Sequence, residues 1–287
     1  MRITGKEHVP EDHSYFRSSY IGYRNYLEKG QKLWIVPLSH SFGWAKFVFG
    51  KAWWVAKFDR VDEEPSIEAI RKTGLRHGLL IWIPWKRKLS TQDLKQWGWR
   101  YLYPSTHFKH TGVGIISGED YYKSWNERAK RARKKFLTFQ ETQNLEIRSV
   151  SMEVWKDAFL QAKVRVPLRR DFAKFYQDIS QYAGQDIGNY LCYKGDEILG
   201  GLSVIFYSDT SSVHLLSFLP DTGKKLQVGT GLIDHWYMQA HRRWIKYINF
   251  DHLRDTTMAR DQQGYTDFKM NFINVEVHLK ESYFKLF

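Results

Sequence analysis

The sequence predicts a mixed α/β fold made of two similar units, and three observations carry that expectation. Strand-like and helix-like stretches alternate along the chain. A pattern of strand, paired helices, further strands, a helix and a last strand occurs twice. No Pro-, Gly- or Ser-rich linker separates the two occurrences, so two closely packed halves are expected. The chain has 287 residues, 43% apolar and 16% aromatic, enough for a large core.

Taken in order, "SYFRSSYIGYRNYLEKG" (14–30) reads as a helix closed by a C-cap glycine. "KLWIVPL" (32–38) and "AKFVFGKAWWVAKF" (45–58) have the aromatic and β-branched content of strands, the second as a hairpin around Gly50. "PSIEAIRKTG" places Pro65 at a helix start and Gly74 at its stop. "GLLIWIPW" (78–85) is a continuous apolar run, so a buried strand. "STQDLKQWG" pairs Ser90 with Asp93 three residues on, the spacing of a capping box. "TGVGIIS" (111–117) is a further strand, and a long basic helix is predicted from about Gly118 to Gln140.

The second occurrence begins with the strand "LEIRSV" (145–150) and the Ser151-capped helix "SMEVWKDAFLQA", followed by a helix over 169–183. "GNYLCYKGDEILGGLSVIFYSDTSSVHLLSF" (188–218) is a three-stranded meander with a tight turn at "KGDE". "GTGLIDHWYMQAHRRW" (229–244) is a helix, "IKYINF" (245–250) a strand, and "NVEVHL" a last one. "DFKMNF" (267–272) alternates, which predicts a strand with Asp267, Lys269 and Asn271 on one face.

Net charge is +13, which predicts attraction to an anionic partner: nucleic acid, a nucleotide sugar or a phospholipid head group. The single cysteine, Cys192, excludes an internal disulfide framework, and its apolar strand suits a small hydrophobe better than a nucleophile. No apolar signal core opens the chain and no window is long and apolar enough to cross a membrane, so a cytoplasmic location is expected. HExxH, CxxC, GxSxG and GxxxxGK[ST] patterns are absent, and no metal site is expected.

Three stretches carry candidate chemistry. Six of the eight residues from Arg128 to Lys135 are basic (Arg128, Lys130, Arg131, Arg133, Lys134 and Lys135), while Trp125, Ala132 and Phe136 fall on one helical face. Such a helix can neutralise phosphates, or it can be an ordinary solvated surface. Gln227-x-Gly-x-Gly opens a helix, where backbone N–H groups could hold a phosphate; it resembles the pyrophosphate loop of acetyl-CoA-dependent acetyltransferases, and equally fits a plain turn. Lys269 in its polar strand face suits an oxyanion or a phosphate, and equally a head that reaches solvent.

The succession of "LKQWGWRYLYPSTHFKHTGVGIIS", "YYKSWNERAKRARKKF", "VRVPLRRDFAKFYQDI", "GDEILGGLSVIFY", "TGLIDHWYMQAHRRWIKYINFD" and "GYTDFKMNF" resembles the FemABX family. The resemblance spans nearly the whole chain and is most specific in its last third. It implies two tandem GNAT-like domains without a coiled-coil arm. Residues 1–120, with a returning C-terminal strand at about 276–287, would form the first, and residues 121–275 the second. The implied reaction moves an amino acid from aminoacyl-tRNA to an amine on the stem peptide of a peptidoglycan precursor, UDP-linked or lipid-linked. No cofactor is needed beyond the charged tRNA. A monomer is expected, with peripheral contact at the inner membrane face among its expected partners.

The late Phe-Lys pair of the family maps onto Phe268 and Lys269, which the resemblance puts in the catalytic cleft. Arg165, Arg169 and Arg170 lie where the family presents a basic residue toward the precursor, and one of the three is expected to face it; the basic helix from Arg128 to Lys135 is the candidate tRNA-facing surface. Asp251 and Asp267 are nearby carboxylates in sequence, and either of them, or a phosphate of the tRNA terminus, could take the proton of the acceptor amine. Two departures bear on the substrate: Ile273 follows Phe272 where glycine is usual, and "YINFDHL" lacks a Gly-Gly end. A GNAT-like enzyme using acyl-CoA, on the Gln227 stretch, is the alternative, and a scaffold that binds without turnover is a third reading.

Overall fold

The structure is a computed structural model. It describes residues 3–4, 36–37, 54–59, 64, 67–71, 78–83, 90–101, 110–162, 164, 187–206, 210–253, 263–278 and 283–286. The chain divides into two compact units, one of Tyr15–Lys109 with His278–Phe287, the other of Met1–Ser14 with His110–Val277.

The smaller unit holds strands β2 (Val36–Pro37), β3 (Trp54–Asp59), β4 (Gly78–Ile83), β5 (Arg100–Tyr101) and β13 (Tyr283–Leu286), in the sheet order β2-β3-β4-β13-β5. β3 and β4 run parallel, with α1 (Ile67–Arg71) between them in sequence. In β4 the consecutive side chains Leu80, Ile81 and Trp82 are all buried, which is why that run shows no alternation. Helix α2 (Thr91–Trp97) starts at the anticipated capping box: Ser90 Oγ accepts from Asp93 N–H, and the Asp93 carboxylate accepts from Ser90 N–H. β13 lies antiparallel between β4 and β5.

Among the described residues the larger unit holds an eight-stranded sheet, order β1-β12-β6-β11-β10-β9-β8-β7. Its strands are β1 (Ile3–Thr4), β6 (His110–Ile115), β7 (Leu145–Ser149), β8 (Ile187–Lys194), β9 (Glu197–Phe206), β10 (Ser211–Phe218), β11 (Tyr247–Leu253) and β12 (Val275–His278). Gly195, at φ 58, makes the tight turn between β8 and β9 that "KGDE" signals. The helices are α3 (Glu127–Thr142), α4 (Met152–Gln161), α5 (Asp221–Lys225), α6 (Val228–Arg242) and α7 (Gln263–Lys269). One sheet face packs on α3 and α6 around Phe136, Trp236, Tyr237, Phe250 and Phe272. The other packs on α4 through Trp155 and Phe159 against Leu191 and Phe218.

Three expectations are corrected. The unit boundary falls at His110 instead of 120, because β6 pairs with β11 on one side and Val113 O accepts from Asn274 N–H on the other. Ile3–Thr4 also belongs to the larger unit, paired parallel to β12. The basic helix begins at Glu127, not Gly118: Asn126 caps it, accepting from Ala129 N–H, and a single 3₁₀ turn, Tyr121–Ser124, precedes it. Its buried stripe uses Ala129 with Phe136, while Ala132 is half-buried. Third, "DFKMNF" is no strand. Asp267, Phe268 and Lys269 end helix α7, and the next residues turn into β12. Phe268 and Phe272 both face the core because they lie one turn apart, not because they alternate. The expected helices over 14–30 and 169–183, and the hairpin at Gly50, lie outside the described residues.

Candidate active site

Strands β10 and β11 run parallel but pair only at Ser211–Val213 with Tyr247–Asn249; among the described residues no further pair joins them. Each strand breaks its register at that point, β10 between His214 and Leu216, β11 between Asn249 and His252. Asp251 takes a left-handed backbone, φ 60. The Thr111 hydroxyl lies 2.5 Å from Asp251 O, and Asn249 Oδ1 accepts from Asp251 N–H. These contacts hold the bulge open, and Asn249 Nδ2 is buried there with no acceptor among the described residues. A parting of this kind frees backbone carbonyls from the ladder.

Helix α7 closes on the parting. Lys269 is buried, and its Nζ donates to Phe250 O. One turn earlier, Tyr265 sets its ring 4.1 Å from the same ammonium. The Tyr265 hydroxyl lies 3.4 Å from His214 Nδ1, and His214 Nε2 lies 3.1 Å from Ser217 Oγ. Burial, and then the Lys269 ammonium, push the His214 pKa down to about 3 against an opposing pull from Asp251. His214 is therefore a neutral imidazole at physiological pH, polar but not charged, beside a cation.

Phe268 and Phe272 lock the end of α7. Phe268 meets Phe272 edge-on at 5.0 Å, and Phe272 also meets Trp125 at 4.9 Å and stacks on Phe250 at 6.0 Å. Tyr237 Oη donates to Phe272 O at 2.7 Å. Asn271 Nδ2 caps the helix through Asp267 O and Phe268 O, and Asn126 Nδ2 donates to Asn271 Oδ1. The Phe-Lys-x-x-Phe spacing thus anchors two rings in the core and brings the lysine between them to the sheet.

The structure gathers some expected residues and separates others. Lys269 and Asp251 lie at the parting, Phe268 packs beside it against Phe272 and the core, and Asp267 is exposed on α7. Arg165, Arg169 and Arg170 lie outside the described residues. On α3, Arg128, Arg131, Lys134 and Lys135 are exposed, with Arg131 Nε donating to Glu127 O. Lys130 pairs with Glu127 at 3.0 Å. Arg133 turns inward: its Nε donates to Asp234 at 2.7 Å and its guanidinium lies over Tyr122. Arg133 ties α3 to α6 and leaves the outward basic face to the other residues.

The Gln227-x-Gly-x-Gly stretch has a packing explanation. A Cβ on Gly231 would sit 2.3 Å from the Phe136 ring, so glycine lets α6 approach α3. A Cβ on Gly229 would meet Leu219 at 3.1 Å and Phe268 at 3.3 Å. Cys192 is buried and its thiol is pushed up to about 12 by burial, which suits a core residue and not a nucleophile. The described residues contain no cluster of side chains that could hold a metal ion, and no helix among them is long and apolar enough to cross a membrane.

Sequence reasoning missed His214 and Tyr265. Tyr265 is readable once the stretch is taken as helical, since it stands four residues before Lys269. His214 gave no local signal; only the pairing of distant strands brings it to α7.

No protein-family profile matches the chain, and no curated protein matches it. Solved structures do. FemX superimposes with a TM-score of 0.59 at 11% identity, covering 82% of this chain and 80% of that one. The C-terminal domain (DUF2156) of a putative lysylphosphatidylglycerol synthetase from Agrobacterium fabrum gives 0.50 at 11% identity, covering 82% and 78%. The fold is similar to that of FemX: mixed α/β, here in two compact units.

Proposed function

We propose that this protein is an acyltransferase of the aminoacyl-tRNA-dependent kind, moving an amino acid to an amine of a peptidoglycan precursor. The observation that carries the reading is the buried ammonium of Lys269, held at the parting of β10 and β11 by Phe250 O and the Tyr265 ring. The likeness in fold to FemX supports it.

In such a transfer the neutral amine nitrogen attacks the ester carbonyl carbon, and the carbonyl oxygen gains negative charge. The C–O bond to the ribose then breaks, and the ribose oxygen leaves with a proton. Lys269 supplies a fixed positive charge in a place where water does not screen it, so its effect on a nascent oxyanion is large. His214 stays neutral and adds no competing charge. The exposed residues Arg128, Arg131, Lys134 and Lys135 form the tRNA-facing surface, and Arg165, Arg169 and Arg170 are proposed for the precursor's phosphates and carboxylates. The acyl-CoA alternative loses its main support, because packing against Phe136 and Leu219 accounts for Gly231 and Gly229.

The test is single-turnover transfer from a pool of charged tRNAs to candidate precursors, read by mass added to the precursor. Lys269→Met should lower the rate by ~10²–10³ while the protein still melts cooperatively. Full activity in that variant, or transfer from acyl-CoA and never from tRNA, overturns the reading.

A further inference from the structure

Trp244 occupies a position where the fold gains nothing from it. We propose that Trp244, with Arg242, Arg243 and Lys246, docks this unit on an anionic phospholipid surface. Helix α6 ends in a Schellman turn: Ile245 N–H donates to Ala240 O at 3.0 Å, and Trp244 N–H donates to His241 O at 3.0 Å. That turn puts the residue after the cap in the left-handed region, and Trp244 has φ 61. Helices favour glycine there, because any Cβ crowds the backbone. This chain carries tryptophan instead, and the residue is 85% exposed, far above every other exposed large apolar residue among those described. Backbone strain without burial in return is the kind of outlier that points to a role outside the fold.

The turn is a rigid mount. Ala240 and Ile245 on either side are buried in the core, and Lys246 N–H and Tyr247 N–H both donate to Thr210 O, at 3.0 and 2.9 Å. Arg243 lays its guanidinium over the Phe206 ring at 4.1 Å, so it is held against the body while Trp244 projects. Arg242, Arg243 and Lys246 are exposed, and no acidic residue occurs from His241 to Tyr247.

Indole has an apolar body and one N–H donor, the chemistry that favours the headgroup layer of a bilayer, and flanking cations gain from anionic headgroups. A ring that stacks nucleic-acid bases lies against a basic groove that tracks the backbone. Trp244 is 85% exposed, and no such wall lies against it among the described residues, which favours lipid over nucleic acid.

The full chain is sedimented with vesicles of phosphatidylcholine alone and with phosphatidylglycerol added, and total tRNA binding is measured in parallel. Binding is expected only to the anionic vesicles, weakening as salt rises. Trp244→Gly, and separately Arg242→Glu with Lys246→Glu, should each cut it roughly tenfold or more. Trp244→Gly should melt no lower than the parent, since glycine suits the turn. Absence of binding to anionic vesicles, equal binding by parent and Trp244→Gly, or a loss confined to tRNA overturns the proposal. Lys269→Met should bind vesicles like the parent, so this test is independent of the transfer reaction.

Discussion

The ammonium of Lys269 lies 4.1 Å from the centroid of the Tyr265 ring, one turn away on the same short helix. The ring and the Phe250 carbonyl both hold this buried cation in place. If the position of the charge matters to transfer, the ring matters with it. Tyr265→Phe keeps the ring and loses the hydroxyl near His214; Tyr265→Leu loses both. Tyr265→Leu should lower the transfer rate about tenfold or more, in line with about 2 kcal/mol for a desolvated cation over an aromatic ring, and Tyr265→Phe should lower it less. Equal rates in the two variants would deny the ring its role.

His214 should make stability depend on pH. Its pKa is about 3 in the folded chain against an ordinary value of 6.5, so the unfolded chain binds the proton more readily. The stabilisation is complete above about pH 6.5 and is lost as pH falls toward 3, with a slope of up to about 1.4 kcal/mol per pH unit. His235, lowered to about 4 by burial and then by Arg242, acts in the same direction. Denaturant unfolding followed between pH 4 and 7, as a rough window, should show this slope, and His214→Gln should flatten it. An unchanged slope in the variant would mean that the imidazole is not held neutral.

Gly231 should tolerate no side chain. Alanine in a helix interior ordinarily gains up to about 1 kcal/mol over glycine. Here the added methyl would meet the Phe136 ring at 2.3 Å, so Gly231→Ala should cost about 1–3 kcal/mol instead. Adding Phe136→Leu should recover part of that loss. A Gly231→Ala protein as stable as the parent would return the glycine pair to a ligand-binding explanation.

The outward face of α3 should bind tRNA through Arg131 and Lys134. Reversing both charges should weaken binding and reduce the salt slope by about 2 or more, measured by filter binding over a salt series. Arg133→Gln should act differently, lowering the melting temperature more than the affinity, because its guanidinium is engaged by Asp234. Affinity unaffected by the double reversal would make α3 a plain solvated surface.

Much of the fold was legible because it rests on local physics. Ser90 and Ser151 accept from the backbone at their helix starts because short polar side chains satisfy orphan N–H groups wherever helices begin; Asn126 does the same for α3, although the sequence pattern points to a start near Gly118. The apolar run of β4 and the glycine turn between β8 and β9 are equally local. The stretch at Asp267 misled because it fits either period: a short segment with apolar residues at 268, 270 and 272 alternates, yet 268 and 272 also lie one turn apart. Packing of Phe272 against Trp125 and Phe250 chose the helix followed by a turn.

By itself the sequence determined the alternation of elements, their caps and turns, and a lysine set between two core phenylalanines, since each depends on neighbours along the chain. Only the tertiary structure decided where that lysine goes. Its site arises where β10 and β11 stop pairing, and the groups around it, His214, Phe250 and Tyr265, come from two strands and a helix joined by no local pattern. The same holds for Arg133 and Gly231: a charge and a gap acquire their roles from Asp234 and Phe136, which sit on the opposing helix far away in sequence.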